Sequence, residues 1–419
     1  MMDSRTLDRG TLIFRVALGG LAAVYLLQTA TRLRLNSDAV RYFQIVTSLA
    51  DGLPPPPVGF PVGYPAILAL LDRAGLGATF WFILANCAFL GAGILALWHL
   101  PGWRSDNDRR WTLCLALLAV PVVRSAAMPL PEAAYFGVSL LAVAAMCAST
   151  RPNGLRQIAL LLAGFLLTAF AISIRTIGMA LVPALIWACV LAAKQHRAAS
   201  RRVKVAAAVL GCVLLFALFT SPSVRQPIVA YLDEAGWIYG EYSLWAHLLR
   251  RGPGMLHGFG ELATNLPGSK FQIINPLFAW IGAPAVLLVL LATRRRGPPG
   301  PAGVYLAAFL AILFIWPHHD VRLWMPAIPL LIRHAAPFVR ELADRRKVRL
   351  AFTAYLLWFT LTGLGALAYT TRISLAGDRF PSLYGTAGGM ATPGYEASNP
   401  DYNALAIGIL ERYDGHAKR

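Results

Sequence analysis

Three carboxylates, two arginines and a pair of histidines stand where the apolar runs of this 419-residue chain give way to short polar turns. The carboxylates are Asp38, Glu132 and Asp320; the arginines are Arg175 and Arg322; the histidines are His318 and His319. A carboxylate can accept the proton of a hydroxyl as that oxygen forms a new bond. An arginine offers a planar fork of donors that matches phosphate, and histidine adds a titratable donor. Together these types suit a site where a lipid-linked phosphate leaves and an alcohol accepts. Each residue has a plainer reading too. Asp38 heads a helical pattern and could serve only as a cap, and a lone arginine at an apolar edge can snorkel to the interface.

The stretch Asn36–Pro65 must position the first of these groups. Val40, Phe43, Ile45, Val46 and Leu49 give a short amphipathic helix, expected to lie along the membrane face with Asp38 at its N-terminal end. The prolines from Pro54 to Pro57 then form a stiff strap, because proline fixes φ and removes backbone donors. Arg41 and Tyr64, in this same stretch, are supporting candidates alongside Glu132 and Asp320.

Composition sets the wider frame. Apolar residues make up 57% of the chain and charged residues 14%, and the apolar residues fall in runs long enough to cross a bilayer. About eleven spans are expected, near 11–31, 78–100, 111–128, 133–149, 157–174, 177–193, 203–220, 274–292, 302–316, 323–338 and 350–370. The run 65–72 is too short to cross alone. The fold class is therefore all-α and polytopic, with juxtamembrane helices on the outward side. The net charge of +18 sits in short loops on alternate sides, around Arg104–Arg110, Arg151–Arg156, Lys194–Lys204, Arg294–Arg296 and Arg333–Arg349. That is the positive-inside pattern, so it reports orientation and implies no nucleic-acid partner. It places the N-terminus in the cytoplasm and the C-terminus outside, in a bacterial inner or plasma membrane.

Residues 1–370 read as one transmembrane catalytic domain with outer loops at 32–77 and 221–273, followed by a short extracytoplasmic tail, 371–419. The five cysteines lie inside apolar runs without metal spacing and read as small core residues. No phosphate-binding glycine loop and no HExxH motif occurs. Arg124, Arg175 and Arg322 break the rule that outward turns are poor in basic residues. Each is a functional candidate, because an unpaired guanidinium at such a depth is costly.

In order and topology, residues 1–340 resemble the GT-C superfamily of membrane glycosyltransferases, which includes protein O-mannosyltransferases and lipid A aminoarabinose transferases. The resemblance rests on Ser37-Asp38-Ala39-Val40-Arg41-Tyr42-Phe43 after the first span, and on Phe60-Pro61-Val62-Gly63-Tyr64-Pro65 closing the strap. It rests also on Ser173-Ile174-Arg175-Thr176-Ile177-Gly178, and on Arg322-Leu323-Trp324-Met325-Pro326 opening a late span. It implies transfer of a sugar from a polyprenyl-phosphate donor to a glycan, lipid or protein acceptor. Asp38 would be the general base or a neighbour of it, and Arg175, Arg322, His318 and His319 would hold the donor phosphate. Some members hold a divalent cation there, and the resemblance names no ligands for one in this chain. Leu323 departs from the tyrosine usual in the late motif. Two other readings stand beside this one. An O-antigen ligase or polymerase would carry its site on Arg250, Arg251 and His257 of the long outer loop. A transporter or flippase would show repeated halves, and none is visible. The orientation has a direct check. In intact cells, an impermeant thiol reagent should label single cysteines placed in 221–273 or the tail and spare those in 194–204 or 333–349; the reverse pattern would invert the topology.

Overall fold

The computed structural model describes residues 4–56, 59–151, 154–195, 244–268, 272–294, 299–316, 320–342, 345–376 and 400–414, with a few isolated positions between 211 and 236. The described regular structure is entirely helical. In chain order the helices are α1 (Ser4–Leu27), α2 (Ser37–Ala50), α3 (Gly63–Leu71), α4 (Thr79–His99), α5 (Asp106–Leu118) and α6 (Val120–Ala126). There follow α7 (Pro131–Ser149), α8 (Gly154–Ile174), α9 (Leu181–Gln195), α10 (Leu244–Thr264) and α11 (Asn275–Arg294). The last four are α12 (Pro301–Ile315), α13 (Ala327–Leu342), α14 (Arg346–Ala376) and α15 (Pro400–Tyr413).

Among the described residues, seven helical stretches are long and apolar enough to cross a membrane. They are Gly10–Ala30, Thr79–His99, Pro131–Ser149, Leu155–Ile174, Thr176–Lys194, Asn275–Arg294 and Arg346–Ala376. Each coincides with one of the eleven expected runs. The other four differ for separate reasons. The run 203–220 falls almost wholly outside the described residues. The run 302–316 is a helix of 15 residues and 323–338 one of 16, the latter entered through a 3-10 turn, Val321–Trp324. The run 111–128 is broken at Ala119, which is extended (ψ 126°), with Pro121 opening the second piece. Proline lacks the N–H that would continue the helix and suits its first turn.

A helix broken inside an apolar bundle leaves backbone groups that no water can satisfy. Asn265 supplies the partners. Its Oδ1 accepts from the Val120 N–H at 2.8 Å, and its Nδ2 donates to the carbonyls of Leu118 and Phe359, both at 3.0 Å. Asn265 has φ 56°, a left-handed conformation that asparagine tolerates better than most side chains. It thereby ties α5, α6 and α14 to the end of α10. The α10 helix runs antiparallel to α11, with Gly260 against the backbone of Phe278 and Gly282 against that of Leu256.

The bundle has two distinguishable ends. At one, basic side chains knit the loops together: Arg340 pairs with Asp108, Arg104 with Glu341, Arg333 donates to the Pro101 carbonyl, and Arg110 to Thr11. At the other lie α2 and α3, neither of which is among the spans. The α2 helix buries Ala39, Val40, Phe43, Ile45 and Val46, matching the expected apolar face. The run 65–72 forms α3, turns through Asp72–Leu76 with Gly75 at φ 77°, and hands over to α4, so it does not cross alone. Gly63 touches the Ser173 backbone so closely that a Cβ would lie 2.6 Å from its carbonyl, which fixes the strap against the end of α8.

A helix also forms around the apolar run of the tail, and it docks here. Tyr413 on α15 packs against Phe43 and Phe82 and donates to Asp72 at 3.0 Å. Arg412 grips Asp51 with two nitrogens and Asp72 with one, and Asp414 accepts from Arg32 at 3.0 Å.

The Asn265 bridge carries a clear expectation. Asn265→Ala removes the side-chain partner of the Val120 N–H and of the Leu118 carbonyl, each loss costing about 1–3 kcal/mol, while the Phe359 carbonyl keeps Thr362 Oγ1 at 3.0 Å. Thermal unfolding in detergent should show a loss of several kcal/mol, on the order of that sum; a wild-type melting temperature would mean that the break is satisfied in another way.

Candidate functional site

The site is built on three short polar turns brought to one end of the bundle. The first is the start of α2. Its N-cap is Asn36, whose side chain accepts from the Ala39 N–H at 2.8 Å. Capping therefore does not occupy Asp38, one of the two roles its position allowed. Instead Asp38 Oδ2 accepts from Arg322 Nη2 at 3.0 Å, while its Oδ1 makes no hydrogen bond among the described residues.

The second turn is the 3-10 entry to α13. Asp320 caps it, accepting from the Arg322 backbone N–H at 2.9 Å through Oδ1. Its Oδ2 takes Arg322 Nε at 2.7 Å and also contacts Nη2. One guanidinium thus spans two carboxylates, with Asp38 and Asp320 on neighbouring nitrogens. Its remaining nitrogen, Nη1, is buried and has no partner among the described residues. Burial would raise the Asp320 carboxyl, but Arg322 and its hydrogen bonds outweigh that and hold it below the usual aspartate range. Arg322 is moved the other way: burial opposes its charge, and Glu132, Asp320 and Asp38 together more than offset that.

The third turn joins α8 to Thr176–Ala180 and carries Arg175, which pairs through Nη1 with Glu132 in the first turn of α7. Glu132 Oε1 is engaged in that pair, and Oε2 is buried with no partner among the described residues. The field of Arg175 reaches Asp320 and that of Glu132 reaches Arg322, so the two ion-pair groups form one electrostatic unit.

The remaining expected residues divide. Tyr64 is fully buried and donates to Asn86 at 3.1 Å, and Asn86 in turn donates to the Met128 carbonyl, so it braces the α7 approach. Arg41 lies with Cζ 5.7 Å from the centre of the Phe60 ring, against the strap. His318 and His319 lie outside the described residues. No group of three His, Cys, Asp or Glu spaced for a metal occurs among the described residues. Each of the three carboxylates is paired with an arginine through one oxygen.

Arg322 and Asp320 open onto a cavity of about 730 Å³. Its wall also carries Asn36, Arg124, His257, Glu261, Gly268 and Asn275. Arg175 and Glu132 are not on that wall. Sequence reasoning placed Arg124 among the unusual arginines and His257 in a rival reading, but gave no place to Glu261 or Asn275. The signal available for those two was the polar, turn-forming run from Asn265 to Asn275, which interrupts two apolar helices. A second cavity of about 660 Å³ is apolar, lined by residues such as Trp111, Leu115, Phe259, Ile281, Leu331 and Phe359. The two cavities flank the broken helix: Ala119 and Asn265 line the apolar one, Val120 and Leu266 the polar one.

Fold and site together define a polytopic, all-helical integral membrane protein with a charged cavity beside a greasy one. No family model matches the chain, and no curated protein matches its sequence. Solved structures of ArnT from Cupriavidus metallidurans do match its fold. The apo form superposes with a TM-score of 0.52 at 16% identity, covering 92% of this chain and 79% of that one. The form bound to undecaprenyl phosphate gives a TM-score of 0.56 at 16% identity, covering 96% and 85%. The chain therefore has the ArnT fold, and its resemblance to GT-C enzymes holds at the level of the fold.

The Asp320–Arg322 pair can be isolated by substitution. Asp320→Asn keeps an oxygen for the Arg322 N–H and removes the charge. Because the Asp320 pKa is lowered in the folded state, its stabilisation is present above the ordinary aspartate value and fades as pH falls through the folded one. At neutral pH the variant should lose about 1.5–3 kcal/mol, the scale of a hydrogen bond to a charged group. The gap to wild type should narrow below about pH 4. Parallel unfolding curves at both pH values read it; a constant gap would assign the loss to packing.

Proposed function

We propose that this protein transfers a sugar from a polyprenyl-phosphate donor to a hydroxyl of a glycan, lipid or protein on the extracytoplasmic face of a bacterial membrane. One observation carries the reading: in an ArnT-like fold, Arg322 joins Asp38 to Asp320 at the mouth of a cavity large enough for a sugar headgroup.

The residues divide the work as follows. The acceptor hydroxyl loses its proton to Asp38 while its oxygen bonds to the anomeric carbon. The bond from that carbon to the phosphate oxygen breaks, and its electron pair leaves on the phosphate. The departing polyprenyl phosphate thus gains one negative charge. Arg322 meets that charge with its unpartnered Nη1, in a half-buried setting where such contacts are worth more than in water. Arg175 supports it, fixed by Glu132, and His318 and His319, shortly before Arg322 in the sequence, would add donors. A phosphate leaves readily without a strong general acid, so catalysis consists mainly of activating and aiming the acceptor.

The apolar cavity supports the same reading. Consecutive residues of the α5–α6 break line the two cavities, so a lipid chain in the greasy one would present its phosphate to the charged one. ArnT is known bound to undecaprenyl phosphate, a ligand of this build.

Asp38→Asn preserves size and removes basicity. Purified in nanodiscs, it should fold and bind donor as wild type does, with transfer slowed about a hundredfold or more, the scale for losing a general base. Asp106→Asn, at the opposite end of the bundle, should transfer normally. Wild-type turnover by Asp38→Asn would remove the proposed base and favour the ligase-like alternative.

A further inference from the structure

Opposite Arg322, the charged cavity carries a second cluster that the transfer chemistry leaves unused. His257 Nε2 lies 2.6 Å from Asn275 Oδ1, and His257 Nδ1 lies 3.6 Å from Glu261 Oε1. The same Glu261 oxygen accepts from the Gly268 N–H at 2.9 Å. An amide oxygen only accepts, so Nε2 carries a hydrogen. Nδ1 then faces Glu261 Oε1 from beyond hydrogen-bond reach.

Arg124 stands on the same wall, at the solvent-facing side of α6 between the buried Val123 and Ser125. Among the described residues it makes no hydrogen bond or ion pair, and its field reaches Glu261. It is also a cation at the edge of an apolar helix, where a lone guanidinium is expensive. The other charges are spoken for: Arg322 by Asp38 and Asp320, Arg175 by Glu132. Among the described residues, Arg124 is the arginine on this wall that no carboxylate holds by a hydrogen bond or ion pair.

We infer that Arg124 is a second anion subsite of the cavity, taking a phosphate-type group, and that the charge on Glu261 decides whether it is open. With Glu261 protonated, Arg124 attracts an incoming anion. With the proton lost, Glu261 is a full anion beside Arg124 and competes for it. The charged and titratable groups acting on Glu261 are His257 on the same helix, Arg124 from α6 and Asp320 from the turn before α13. Burial raises the Glu261 carboxyl above its ordinary range, against the pull of His257, the Gly268 N–H and Arg124. The subsite stands on the cavity alone. Naming its anion as the donor's phosphate, or as an acidic group next to the acceptor hydroxyl, rests on the proposed transfer reaction.

The full chain in zwitterionic nanodiscs can be titrated calorimetrically with sodium sulfate, whose charge is constant between about pH 6 and pH 9, and with undecaprenyl phosphate. Arg124→Gln should weaken binding at least about tenfold, the cost of one charge-assisted hydrogen bond. Wild-type affinity for sulfate should fall as pH rises. Glu261→Gln keeps an acceptor for Gly268 and removes the titration, so its affinity should no longer fall. A loss in Arg124→Gln confined to undecaprenyl phosphate places the donor there; a loss confined to sulfate places an acidic acceptor there. Unchanged affinity of Arg124→Gln for both probes overturns the subsite, and an undiminished pH dependence in Glu261→Gln overturns the gate. Sugar transfer by the wild-type chain is read separately: its failure would remove the transfer reaction and leave the binding result standing.

Discussion

A single guanidinium ties together the end of the bundle that carries α2. Arg322 reaches Asp38, which lies 284 positions earlier in the chain, while its own backbone and side chain hold Asp320. The first outer helix and a late loop are joined through one planar group with several donors in fixed directions. A lysine could not do the same, because a compact ammonium has no fork to align two carboxylates. The cost of bringing these charges out of water is met only because the geometry pairs each of them. That explains why Asn36, and not Asp38, caps α2: a carboxylate turned inward to serve backbone N–H groups would leave Arg322 half-matched.

The α2 helix is held at its other end with equal care. Arg73 donates to the Leu49 and Ala50 carbonyls, where a helix terminus favours positive charge, and Arg412 grips Asp51, the C-cap. Fourteen residues of helix, roughly 21 Å at 1.5 Å each, are thus tethered at both termini, with Phe43 packed against Tyr413 between them. The terminal helix α15 therefore acts on the same element that carries Asp38. Deeper in the bundle, Asn265 performs a comparable service for the broken helix. Because it satisfies the backbone at Val120, α6 can take its own direction and show Arg124 to the cavity.

Much of this was legible in the residues. Seven of the expected runs coincide with long apolar helices because a 20-residue apolar run has few other ways to satisfy its backbone in lipid. The apolar face of α2 followed from its spacing, and Asp38 and Arg322 were singled out because a charge at an apolar edge is conspicuous. The failures share a cause. Residues 111–128 looked continuous because hydropathy is blind to the backbone, and the partner that makes a break affordable, Asn265, lies 145 positions away. The pairing of Arg175 with Glu132 was equally hidden. Both were placed on one face, but only packing shows which carboxylate an arginine will choose. His257 and Glu261 are four residues apart on an amphipathic helix, a spacing common enough to pass unnoticed until Asn275 and Gly268 are brought against them.

Pairing most charges before any ligand arrives has a consequence for selectivity. A cavity of bare arginines would bind every anion, and bare carboxylates every cation, in a medium where unscreened charge acts over long range. Here the charges around Arg322 are largely matched among themselves, so an incoming group must compete with Asp38 and Asp320 for the fork. A phosphate can do so because Nη1 is still available. In the proposed reaction, a phosphate that takes the place of Asp38 on Arg322 would release that carboxylate to face the acceptor hydroxyl. One ion pair exchanged for a ligand contact would then couple the two halves of that reaction.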